Sequence, residues 1–157
     1  MTSGGAVVLA EATRPELIFP ALSARDGRGA LVEIAEGIAA ALPGVSPAAL
    51  ARGFAEREQL GSTALGGALA VPHCKVPGLE RAYVAVGVSP AGIEFGAADG
   101  RPVRVFFAVV SPAAAPTAHL KLLAAISRWA RTPGCLDRVV SAASTAELMA
   151  ALDGGGG

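Results

Sequence analysis

The sequence predicts an α/β domain, a mixed β-sheet flanked by helices. Three observations carry this. Two segments of helical spacing open the chain, a block of short β-rich runs fills its middle, and helical spacing returns in the last third. With no internal repeat and no dividing linker, that order gives one layered domain.

Residues 1–14 read as a flexible N-terminal segment, with one short strand near Val7 to Ala10. The domain spans 15–153, and the glycine run 154–157 reads as a disordered tail. Between Ala30 and Leu42, Leu31, Ile34, Ala35, Ile38 and Leu42 fall on one helical stripe, with Glu33 and Glu36 opposite. Pro43-Gly44 stops that helix. Ser46 then supplies a cap and Pro47 a first helical position for a second helix, which runs to Gln59 and ends at Gly61. The glycine-punctuated stretch "STALGGALAVPH" (62–73) predicts two small strands joined by a turn. "AYVAVGV" (82–88) and "VRVFFAVV" (103–110) are rich in β-branched residues and read as buried strands. The segment between them, 89–102, carries several turn signals. After "SPAAAPT", Leu122, Ile126 and Trp129 form a helical stripe with Leu123 and Ala130 beside it. Pro133-Gly134 breaks it, a short helix follows near Leu136 to Val140, and "STAE" (144–147) is a capping box opening the last helix, to about Leu152.

The 157 residues are 52% hydrophobic, with mean hydropathy +0.51, so a full core is affordable. Thirteen basic residues balance thirteen acidic ones. That balance gives no global attraction to nucleic acid or to an anionic membrane. Cys74 and Cys135 do not make a disulfide framework. The N-terminus has no basic leader, and the longest apolar run, "VFFAVV", is far too short to span a bilayer. The expectation is a cytoplasmic protein without membrane insertion.

Few residues can carry chemistry. There are two histidines, His73 and His119. Imidazole is nearly half-protonated near neutral pH, attacks phosphorus and can release it again, as a reversible phosphoryl carrier must. His73 follows Pro72, which fixes the backbone, and Gly66 and Gly67, which let amides approach an anion. His119 opens a predicted helix, where negative charge is favoured. Arg57 closes a predicted helix, and its guanidinium could hold phosphate oxygens two at a time. Each also has a plainer reading taken singly: a loop histidine bonded to backbone, a surface or capping histidine, an exposed arginine. His73, Cys74, His119 and Cys135 lack metal-site spacing, and no third group orients a Cys74–His119 dyad. No Walker A, G-x-S-x-G or basic-aromatic pattern occurs.

In combination the motifs are more specific. An R-E before a G-S-T turn, then A-V-P-H, then D-G-x-P-V, then H-L-x-x-L-A, in this order and spacing, resemble the fructose/mannitol-type enzyme IIA domain of the bacterial phosphoenolpyruvate-dependent phosphotransferase system. That group includes the nitrogen-regulatory IIA proteins. The resemblance covers roughly residues 15–152. It implies the mannitol-type IIA fold and no metal or organic cofactor. It implies His73 as phosphoryl acceptor from phospho-HPr or a nitrogen-branch HPr homologue, with His119 and Arg57 at the same site. It implies onward transfer to a IIB domain, or a regulatory target protein that reads the phosphoryl state. One departure stands out: where many relatives carry a polar residue between two glycines, this chain reads Gly66, Gly67, Ala68. The alternative is a IIA-fold binding module that has lost phosphotransfer; retention of both histidines and Arg57 argues against it.

Overall fold

The computed structural model describes residues 9–153. Residues 1–8, most of the expected flexible segment, and the 154–157 tail lie outside the described residues. Leu9–Ala12 and Pro15–Leu17 are 3-10 turns. The expected strand near Val7 to Ala10 is therefore absent over its described half, because Leu9 and Ala12 turn inward and are buried in the core.

Helix α1 (Gly27–Ala41) is capped by Asp26, whose carboxylate accepts the Gly29 N–H at 2.7 Å. Helix α2 (Pro47–Gln59) is capped by Ser46, which accepts the Ala49 N–H at 3.2 Å. Both run close to their expected bounds. The strands are β1 (Ile18–Phe19), β2 (Ala64–Gly66), β3 (Leu69–Ala70), β4 (His73–Val76), β5 (Tyr83–Ile93) and β6 (Val103–Pro112). Helices α3 (Pro116–Arg131), α4 (Cys135–Ser141) and α5 (Thr145–Asp153) complete the chain. The capping box forms: Ser144 Oγ accepts the Glu147 N–H at 3.1 Å, and Glu147 reaches back to the Ala143 N–H at 2.9 Å. No helix among the described residues is long and apolar enough to cross a membrane.

The sheet is mixed, in the order β1-β5-β6-β3-β2, with β4 also paired to β6. β5 and β6 are antiparallel, while β1 lies parallel to β5, and β3 and β4 parallel to β6. β6 explains why its run is continuously apolar. Val105, Phe107 and Val109 face one cluster, with Leu122, Ile126, Trp129, Leu148 and Leu152 from α3 and α5. Phe106, Ala108 and Val110 face the other, with Ile34, Ile38, Leu50 and Phe54 from α1 and α2. A strand covered on both faces needs no polar side.

β4 and β1 were not expected as strands. β3 and β4 keep a single register on β6, Leu69 opposite Val105 and His73 opposite Val109. The interruption is Val71-Pro72. Pro72 has no N–H to give the ladder, yet its carbonyl accepts the Val109 N–H at 2.9 Å, while the Val71 N–H turns to Thr63 O at 3.0 Å. β5 runs on to Ile93, beyond the expected end at Val88, through a register shift.

Candidate functional site at the edge strand

Register decides which way each side chain of β4 points. His73 sits beside Val109 and so faces α3; Cys74 sits beside Val110 and so faces α2. The two nominal metal ligands are thus on opposite faces. Among the described residues no group of three or more His, Cys, Asp or Glu side chains could hold a metal ion. Burial pushes the Cys74 thiol up to about 12, which disfavours a thiolate nucleophile. Cys135 is fully buried and accepts a 3.2 Å hydrogen bond from Arg138.

The structure brings all three expected site residues together. Arg57 comes from the last turn of α2. One turn earlier is Gly53, where an added Cβ would lie 3.2 Å from the Cys74 sulfur. Glycine there lets α2 lie close to β4, so that Arg57, four residues on, reaches round the sheet edge. Its Nε–H donates to His73 Nε2 at 3.2 Å, and its Nη1–H donates to Gly61 O at 2.9 Å. On the other side of the ring, His73 Nδ1 lies 2.8 Å from Val71 O. A carbonyl only accepts, so Nδ1 carries the proton and Nε2 presents its lone pair.

His119 is the fourth residue of α3 and is 9% exposed. Its ring centroid lies 5.0 Å from that of His73, with the planes tilted by 60°. A 2.6 Å hydrogen bond joins its Nδ1 to the hydroxyl of Ser111, which is fully buried at the end of β6. Burial first, then the nearby His73 and Lys75, hold its pKa below the ordinary 6.5. The neutral imidazole is the form this environment favours.

Sequence reasoning missed Ser111, the Val71 carbonyl and a clasp between Glu58 and Thr63. Ser111 was legible in part: it lies two residues beyond Val109 on a buried strand, and so shares the face of His73. The backbone contacts had no signal, because any residue supplies a carbonyl. The expectation for the glycine turn needs correction. The Gly67 N–H is taken by Asp99 Oδ2 at 2.8 Å. That amide, with the one from Arg101, holds the Asp99 carboxyl below its ordinary value. The amide thus serves a carboxylate of the chain itself. Gly67 (φ 63°) and Ala68 (φ 73°) both occupy the left-handed region.

Comparison with known proteins gives the family and the fold. A family model described as "Phosphoenolpyruvate-dependent sugar phosphotransferase system, EIIA 2" matches residues 11–154. A "Nitrogen regulatory protein" of Bradyrhizobium diazoefficiens is 39% identical over 117 residues, 74% of this chain and 76% of its own length. One from Pseudomonas aeruginosa is 36% identical over 119 residues, 76% of this chain and 77% of its own. The crystal structure of the nitrogen regulatory protein IIA-Ntr from Neisseria meningitidis superposes with a TM-score of 0.85 at 24% identity, over 93% of this chain and 99% of that one. IIA mannitol from Escherichia coli superposes with a TM-score of 0.74 at 22% identity, over 88% and 97%. These two likenesses concern the fold.

Proposed function

Since the chain belongs to the EIIA 2 family of the phosphoenolpyruvate-dependent sugar phosphotransferase system, we propose that His73 Nε2 is the atom that carries the phosphoryl group. The donor is phospho-HPr or a nitrogen-branch homologue of it. As Nε2–P forms, the donor's own N–P bond breaks and its electron pair returns to the donor nitrogen as a lone pair, while His73 keeps its Nδ1 proton. No metal or organic cofactor is needed for this exchange.

The single observation that carries the reading is the tautomer. Val71 O holds the proton on Nδ1, so the lone pair sits on Nε2 with no proton to remove before attack. Arg57 caps that lone pair in the resting protein. When the group arrives, the guanidinium turns from nitrogen to phosphoryl oxygens, its preferred partners. In this reading the Ser111 hydroxyl, which can donate or accept, donates to His119 Nδ1, so the neutral ring carries its proton on Nε2 and offers an N–H to a third direction. The equatorial oxygens then meet donors from α2 and α3 that are already in place.

A protein donor suits the surroundings. Leu60 is 83% exposed and follows Arg57 by three residues; Leu120 is 65% exposed and adjoins His119. Apolar side chains beside a polar site favour a protein surface over a free sugar phosphate. The nitrogen-regulatory names of the relatives favour a signalling use of the phosphoryl state. The E. coli mannitol IIA was solved in complex with phosphorylated IIB, which favours a IIB-type acceptor where transport is the outcome.

The test is incubation with phosphoenolpyruvate, enzyme I and HPr, read by intact mass. The wild type should gain one acid-labile phosphoryl group and His73→Ala none. No gain in wild type with a competent HPr would leave only a binding module.

A further inference from the structure

Arg57 and Glu58 are consecutive on the last turn of α2, and both tie down the segment that follows. Arg57 holds Gly61 O, as above. Glu58 takes both donors of Thr63: the backbone N–H to Oε2 and the hydroxyl to Oε1, each at 2.8 Å. Thr63 is 5% exposed, so this two-pronged clasp is shielded from water at its donor end. The Thr63 carbonyl accepts the Val71 N–H at 3.0 Å. The Val71 carbonyl accepts the His73 Nδ1–H, and His73 Nε2 accepts the Arg57 Nε–H. The path leaves α2 at Glu58 and returns to it one residue earlier.

The weak place in this circuit is Val71. It falls in the break between β3 and β4, where Pro72 interrupts the ladder. Its amide is committed to Thr63 and not to β6, so the position of its carbonyl depends on where Thr63 is held. We infer that Glu58 is a positioning residue: through Thr63 and Val71 it keeps His73 in the Nδ1–H tautomer, with the Nε2 lone pair turned to Arg57. This rests on the reading of His73 as acceptor and deepens it. A carboxylate is required because Thr63 offers two donors at once; an amide side chain accepts at its oxygen only.

The experiment compares wild type with Glu58→Gln, Thr63→Ser and, as a control, Glu33→Gln. Glu33 makes a clasp of the same kind on α1, accepting the Ser23 and Ala24 amides. Two quantities are read: the 15N shifts of the His73 ring nitrogens in the unphosphorylated protein, and the rate of phosphoryl acceptance from phospho-HPr. Glu58→Gln should move the ring shifts toward a mixture of tautomers and slow acceptance on the order of tenfold, with KM for the donor unchanged. Thr63→Ser keeps both donors and should match wild type. Glu33→Gln should move neither reading, even at an equal loss of Tm. Should Glu58→Gln fail to fold, Thr63→Val removes the hydroxyl donor alone and should shift the ring in the same direction. Wild-type ring shifts in a folded Glu58→Gln, or an equal shift in Glu33→Gln, overturn the inference. The shifts need no donor, so a wild type that never accepts phosphoryl overturns the acceptor role alone, while the ring shifts still decide whether Glu58 sets the tautomer.

Discussion

The two histidines face each other at 5.0 Å and are held in opposite ways. His73 begins an edge strand, is half-buried, and has one ring nitrogen engaged by the Val71 carbonyl two residues back and the other by Arg57 from α2. His119 is set into a helix, is 9% exposed, and is tied at Nδ1 to a fully buried serine. One ring is half-buried at an edge strand, with its lone pair capped by the Arg57 guanidinium. The other is desolvated and fixed, in surroundings that favour its neutral form. The proposed relay would use this division: an acceptor on an edge strand, and a donor whose orientation is set before the charge arrives.

The strongest way to break the comparison is to remove the fixed member. In His119→Ala, His73 should still become phosphorylated, but acceptance should slow by roughly 10²-fold, the usual cost of losing one preorganised donor. Single-turnover kinetics with phospho-HPr reads this, with intact mass confirming that the acceptor survives. An unchanged rate would reduce His119 to a packing residue. Complete loss of the modification would mean the acceptor role is shared.

The two histidines also differ in how legible they were. His73 and His119 stood out because the chain has only two, and Arg57 because it closes α2 just before the strand block. The helices were legible from caps and stripes: Ser46-Pro47, Pro133-Gly134 and the 144–147 box each mark a real boundary. β6 was legible from its apolar run. β4 was not, since "HCKV" has neither alternation nor length, and it becomes a strand only because β6 extends the register already set by β3. The same non-local cause hides the Val71 carbonyl and the Thr63 clasp. What the chain shows locally is which side chains have the chemistry to react; what tertiary pairing adds is which ring nitrogen keeps a lone pair.

A gentler perturbation loosens the fixed ring without deleting it. Ser111→Ala removes the hydroxyl from His119 Nδ1 inside the core. A buried ring nitrogen left without a partner costs about 1–3 kcal/mol, so urea unfolding should show a loss in that range. Acceptance should slow less than in His119→Ala, because the ring remains. A Ser111→Ala protein slower than His119→Ala would mean the serine acts on the phosphoryl group directly.

The smallest effect concerns protons, and it sharpens the contrast most. His119 has its pKa below 6.5 in the folded protein because burial, then His73 and Lys75, oppose its charge. The unfolded chain therefore binds that proton at higher pH than the folded one. Through this window the unfolded state holds more protons, so stability rises with pH and falls as the solution is acidified below 6.5. Replacement by Gln should flatten that slope. Phosphorylation of His73 then changes the sign of the local field. A phosphoryl group brings about two negative charges beside His119, and an opposite charge at this range favours imidazolium. The His119 titration followed by NMR should thus lie below 6.5 in the unmodified protein and move upward once His73 is modified. An imidazolium formed on arrival of the group would hold it more firmly than the neutral ring that received it, and would have to lose that proton for the group to leave easily. Release would then gain more rate with rising pH than acceptance does. Equal pH profiles for the two half-reactions would show that His119 keeps one protonation state throughout.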